Sequence, residues 1–135
     1  MFKRLRNWLE GRRVKKMGFT AAQWEAAIVD WPVMHRYQGS ERDALRDMTF
    51  RFLARKTFVS GGEFQFTDAM CLKLATMACV PVLHLGLDWY DRWQTAILYE
   101  EDFVPNRSHR TDDGVVHARG PGLSGEAWYR GPVIL

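Results

Sequence analysis

The sequence predicts an α+β fold: N-terminal helices and a central buried helix packed on a small mixed or antiparallel sheet. Three observations carry this. Apolar residues recur at helical spacing in the first half, at Trp24, Ala27, Ile28 and Trp31, and again at Leu45, Met48, Phe52 and Leu53. A nearly all-apolar segment runs over residues 68–85 with no strand-like alternation. From Trp93 onward, β-branched and aliphatic runs bounded by Gly, Pro and acidic residues dominate. With 135 residues, 47% of them hydrophobic, the chain is long and apolar enough to bury roughly two-thirds of its unfolded surface as one domain.

The elements follow in order. Residues 2–16 read as a short helix with Phe2, Leu5 and Leu9 on one face, Trp8 at its margin and basic residues over the rest. Such a helix suits a membrane surface or a partner. The preferred expectation is an arm that packs its few apolar residues on the body and solvates its charges. Thr20 and Gln23 have capping-box spacing, which starts a helix near Ala21, and Pro32 ends it. Ser40 to Asp43 is a weaker start signal for a helix reaching Arg55. Thr57, Phe58 and Val59 favour a short strand, and Gly61-Gly62 marks a turn. Thr67 caps the long apolar helix of residues 68–85, whose polar stripe is Lys73, Thr76 and His84. Pro81 removes the bond to the Met77 carbonyl, so a kink is expected there, with Gly86 as C-cap. Residues 93–99 read as a strand buried on both faces, residues 106–113 as a polar mobile loop, and residues 114–119 as a strand. Residues 120–125 read as a turn and residues 126–135 as a returning strand, with Pro132 at an edge or corner.

Charge is unevenly spread. Residues 1–18 hold seven cations against Glu10, a net +6, and the rest of the chain carries −3. The basic balance therefore belongs to an N-terminal arm, and a nucleic-acid function, which needs a basic face on the folded body, is disfavoured. No apolar run is long enough to span a bilayer, and no apolar segment with a small-residue cleavage site follows the charged start. Cys71 and Cys79, about 12 Å apart on one helix, are too distant for a disulfide, so a cytoplasmic location is expected.

Residue chemistry alone gives no self-contained active site. None of His35, His84, His109 or His117 begins a His-Glu-x-x-His. Cys71 and Cys79 have no histidine at ligand spacing and read as small core residues. Ser124, after Leu123, lacks the flanks of a nucleophile elbow, and no Lys-Ser/Thr follows the glycine-rich turn. Glu100, Glu101 and Asp102 read as a solvated strand end.

Several motifs in order carry a resemblance over essentially the whole chain. They are the basic Met1-Phe-x-x-Leu-Arg start, Trp24-Glu-Ala, Phe52-Leu-x-x-Lys56-x-Phe58, Phe66-Thr-Asp-x-Met70 and Ala78-Cys79. Gly86-Leu-Asp-Trp-Tyr90, Ile97-Leu-x-Tyr99-x-x-x-Phe103, Gly114-Val-Val-His and Ser124-Gly-Glu-Ala-Trp-x-Arg-Gly-Pro-Val-Ile-Leu135 follow. Together they resemble the Mlc titration factor A (MtfA-like) family of zinc-dependent peptidases. Glu100 departs from the proline usual after the tyrosine. In the family, the strand matching Val133, Ile134 and Leu135 leads on to a helix bearing His-Glu-x-x-His, whose histidines bind zinc and whose glutamate acts as general base.

The resemblance implies that residues 1–18 are a basic arm and residues 19–135 the N-terminal part of a zincin-like peptidase domain, truncated before the metal-binding helix. It implies an aminopeptidase acting on peptides through zinc-activated water in the full-length family, with regulation through the repressor Mlc. For this chain alone it implies no bound zinc and no activity. The alternative is a non-catalytic module that docks a transcriptional repressor. Trp128, Arg130, Gly131, Pro132 and Val133 are the candidate substrate-cleft residues, because zincin edge strands hold extended peptides by strand addition. The apolar helix needs cover, so an exposed apolar patch and self-association are also expected.

Overall fold

The computed structural model describes residues 2–99 and 132–135 in full, and the backbone of residues 109–110, 116–117 and 126–127. Helix α1 (Phe2–Met17) precedes α2 (Ala21–Ile28), a 3-10 turn at Pro32–Arg36, and α3 (Gly39–Arg55). Strand β1 (Thr57–Ser60), helix α4 (Asp68–Cys79) and strand β2 (Thr95–Leu98) follow. Four two-residue strands complete the fold: β3 (His109–Arg110), β4 (Val116–His117), β5 (Glu126–Ala127) and β6 (Val133–Ile134). The main sheet has the order β1-β2-β6-β5. β1, β2 and β6 run parallel and β5 antiparallel, which makes the expected α+β fold with a mixed sheet. β3 and β4 pair antiparallel, with His109 opposite His117.

The core lies between α2, α3 and α4, as their apolar spacings require. Trp24, Ile28, Leu45, Phe52, Leu72 and Ala75 are all buried. Thr20 Oγ1 accepts from Gln23 N at 3.1 Å while the Gln23 side chain accepts from Thr20 N at 2.8 Å, closing the capping box of α2. α3 starts at Gly39 with Gln38 as N-cap and no side-chain cap, so Ser40 does not take the role expected of that region. The Arg42 guanidinium ties this corner together. It grips Glu25 at 2.9 and 2.5 Å, donates to the Met34 and Tyr37 carbonyls, and lies over the Trp24 ring.

Phe52 joins the helical layer to the sheet through ring contacts of 5.8–6.4 Å with Trp93, Tyr90 and Phe58. At the same junction the Lys56 ammonium donates to the Tyr90 and Trp93 carbonyls and sits over the Trp93 ring.

Four expectations are corrected. The apolar face expected of α1 does not pack on the body: Phe2, Leu5, Trp8 and Leu9 are 84%, 53%, 56% and 45% exposed. The helix docks by its opposite side, where Glu10, 5% exposed, accepts from Arg55 Nε at 2.7 Å and from Arg51 Nη1 at 3.4 Å. A carboxylate is costly to bury unless paired, and two arginines one turn apart on α3 make this pairing stronger than the pull of four partly solvated side chains.

The long apolar helix also ends earlier than its pattern predicts. α4 stops at Cys79, and Val80–Val82 forms a 3-10 turn around Pro81, so the proline terminates the helix instead of kinking it. Gly86, at φ 98°, receives the chain as it leaves this turn, its N–H donating to the Val82 carbonyl at 2.8 Å. Nor is the polar stripe solvated as a unit, because Thr76 is fully buried while Met70 and Met77 are each 43% exposed.

The third correction concerns residues 126–135, read as one returning strand. β5 and β6 pair with each other, Glu126 opposite Ile134 and Ala127 opposite Val133. Finally, the loop expected over residues 106–113 contains β3. The expected turn at residues 120–125 and the acidic strand end at residues 100–102 lie outside the described residues.

Candidate functional site

The parallel strands β1, β2 and β6 bring their C-terminal ends to one edge of the sheet. Pairing continues past the strands: Gly61 N donates to the Leu98 carbonyl at 2.6 Å, Leu135 N to Ile97 at 2.8 Å and Tyr99 N to Leu135 at 2.9 Å. The carboxyl ends of parallel strands are where open sheets commonly receive ligands.

Helix α4 faces this edge with Met70, Lys73, Leu74 and Met77, spaced i, i+3, i+4 and i+7 on a single stripe. Between stripe and sheet lies a cleft of about 550 Å³, closed on the sheet side by Leu98, Tyr99 and Leu135. A second cavity of about 300 Å³ reaches under Phe58, Trp93 and Val133 and meets the first at Leu74 and Leu135. The first cleft is large enough for a few amino-acid side chains and is walled mainly by apolar groups. Its charged group is Lys73, whose ammonium lies 3.0 Å from Asp30. That hydrogen bond holds the Asp30 carboxyl below its ordinary value.

Tyr99 is positioned by Gly61. A Cβ on Gly61 would fall 2.5 Å from Tyr99 Cζ, so only a residue without a side chain lets the ring lie flat there. The cleft wall is thus set by a close approach that the Gly61-Gly62 turn signal does not reveal.

Of the sequence candidates, Pro132 and Val133 are among the described residues, and of these two Val133 lines a cavity. Val133 pairs with Ala96 and Ala127 and lines the second cavity, and half-buried Pro132 leads into β6. Trp128, Arg130 and Gly131 lie outside the described residues. The residues missed are Met70, Lys73, Met77 and Tyr99. The helical spacing of the first three could have grouped them, but an all-apolar helix gives no sign of which side stays open.

The thiols do not offer a nucleophile. Burial pushes Cys71 up to about 11 and Cys79 up to about 12, so both stay protonated at neutral pH.

Comparison with known proteins gives the fold its family. The glucose-regulated metallo-peptidase M90 family matches residues 5–135. This chain belongs to that family. It is 32% identical over 112 residues to Mlc titration factor A of Klebsiella pneumoniae, covering 83% of this chain and 42% of the relative. It is 32% identical over 115 residues to the protein of that name in Escherichia fergusonii, covering 85% and 43%. A third relative, from Cronobacter sakazakii, is 32% identical over 83% of this chain and 42% of its own length. The M90 chain described here therefore spans about two-fifths of the length of the curated relatives it matches.

The residues present do not fit the metal that a metallopeptidase family implies. No His-Glu-x-x-His occurs in the 135 residues, and among the described residues no three His, Cys, Asp or Glu side chains gather as a metal-holding group. Among the described residues, no helix is long and apolar enough to cross a membrane.

Proposed function

We propose that this chain is the N-terminal portion of an M90 metallopeptidase, supplying the helical layer and the sheet against which the metal-binding part assembles. The observation that carries this reading is the family match over residues 5–135 in a chain that covers only 42% of its relative. The intact enzyme would hydrolyse peptide bonds as an aminopeptidase, with zinc-activated water as the attacking group. In that assembly the apolar cleft between α4 and the sheet edge is the surface the catalytic part covers, and the segment containing Trp128, Arg130, Gly131, Pro132 and Val133 borders the peptide. Two cysteines kept as thiols support a cytoplasmic location for it.

Elemental analysis and hydrolysis of an aminoacyl-nitroanilide test the proposal together. The 135-residue chain is expected to hold no stoichiometric zinc and to release no nitroaniline. A version extended through a His-Glu-x-x-His segment is expected to do both. Stoichiometric zinc and turnover by the 135-residue chain would overturn the reading.

The name of the relatives, Mlc titration factor A, favours a second reading, in which this chain contributes the surface that meets the repressor Mlc. A pull-down by the 135-residue chain at full affinity would support repressor docking without catalysis. Loss of capture would place that contact elsewhere in the longer protein.

A further inference from the structure

We propose that helix α1 is a docking surface for anionic lipid bilayers. Its acid is buried against the body while four of its large apolar side chains face solvent. The inward side is held by ions: Glu10 sits between Arg51 and Arg55, and Arg6 Nη2 lies 3.1 Å from Asp88. The outward side carries apolar residues interleaved with cations. Trp8, Leu5, Leu9 and Phe2 fall within a sector of about 120° at 100° per residue, and each is between 45% and 84% exposed. Rolling that sector onto the body would pull Glu10 off both arginines, so the apolar side chains are fixed facing outward.

Charge identifies the occupant. The single acid of α1 is consumed in the inward ion pairs, while Lys3, Arg4, Arg12, Arg13, Lys15 and Lys16 are all exposed. Arg12 and Lys16 lie within the apolar sector itself, and the Arg12 guanidinium rides over the Trp8 ring at 5.0 Å. A second copy of the same face would bring these cations against their like. A nucleic acid would satisfy the cations but leave Phe2, Leu5 and Leu9 in water. An anionic bilayer satisfies both, with headgroups meeting the ammonium and guanidinium groups and the interface receiving the apolar side chains and the indole. The net −3 carried by the remaining residues orients the molecule with α1 down.

Flotation with vesicles of phosphatidylcholine alone and of phosphatidylcholine mixed with phosphatidylglycerol tests this on the 135-residue chain. At low salt the protein is expected to float with the mixed vesicles at least roughly tenfold more than with the neutral ones, and to be released at about 0.5 M salt, where charges are screened. Leu5→Glu with Leu9→Glu should abolish flotation while circular dichroism stays unchanged, both sites being exposed. Lys15→Gln with Lys16→Gln should weaken flotation and flatten its salt dependence. Three outcomes would overturn the proposal: no flotation at low salt, equal flotation with neutral vesicles, or a vesicle-free dimer dispersed by the Leu5/Leu9 variant.

Discussion

At the residue scale, the core is organised by a polar contact inside an apolar helix. Trp24 Nε1 donates to Thr76 Oγ1 at 2.9 Å, and the Thr76 hydroxyl in turn donates to the Leu72 carbonyl at 2.7 Å. Thr49 stands 3.4 Å away with its hydroxyl committed to the Leu45 carbonyl at 2.8 Å. Three polar groups on three helices are thus satisfied without water. Thr76→Val keeps the shape but strands a buried indole N–H, an expected loss of about 1–3 kcal/mol, measured by urea unfolding. Trp24 was legible in the sequence as core from its helical spacing. Thr76 was not, because periodicity reports polarity and cannot say that a polar group has found a buried donor. Gly61 makes the same point at the cleft: Gly61→Ala should displace Tyr99, read as a changed tyrosine environment in near-ultraviolet circular dichroism, with the helical signal intact.

At the scale of elements, the attachment of α1 rests on Glu10. Breaking a buried pair by removing one charge costs roughly 3–5 kcal/mol in general. Here Arg55 keeps Asp88 at 3.3 Å and Asp91 at 3.6 Å, so Glu10→Gln should cost less, about 2–3 kcal/mol. The expected signature is new proteolytic cleavage within residues 2–17 before the body unfolds. The helix itself was legible from sequence; its rotation was not, since four apolar residues on one face argue for burial unless the partners of the lone acid are known.

Glu25 shows the pH dependence of a neighbouring junction. The hydrogen bond from Arg42 holds its carboxyl below the ordinary 4.5. A depressed carboxyl contributes stability that is present above its ordinary value and lost as pH falls through the lowered one. Glu25→Gln should therefore flatten the acid limb of the stability curve below about pH 4.5 and leave its slope near neutrality unchanged.

At the scale of the whole molecule, one side of the sheet edge is left open by the described residues between α4 and the strand ends. The α+β class and the central place of β2 were within reach of the sequence, because a nearly continuous apolar strand reads as central; its parallel pairing was not, and Thr95 and Ile97 are only half-buried. The open side was not within reach either. The chain spans 42% of its relative, and apolar patterning alone does not distinguish a surface covered within the chain from one covered by another segment. Met70 and Met77, each 43% exposed beside a cleft of about 550 Å³, make this a surface that binds apolar probes. The protein should raise the fluorescence of anilinonaphthalene sulfonate under native conditions and associate as its concentration rises. Met70→Glu with Met77→Glu should remove both effects by placing charge on the rim. Because the two side chains are partly solvated, unfolding free energy should move by no more than about 1 kcal/mol in total. Unchanged dye binding in that variant would place the sticky surface elsewhere, with the outward face of α1 as the next region to test by the Leu5→Glu, Leu9→Glu pair.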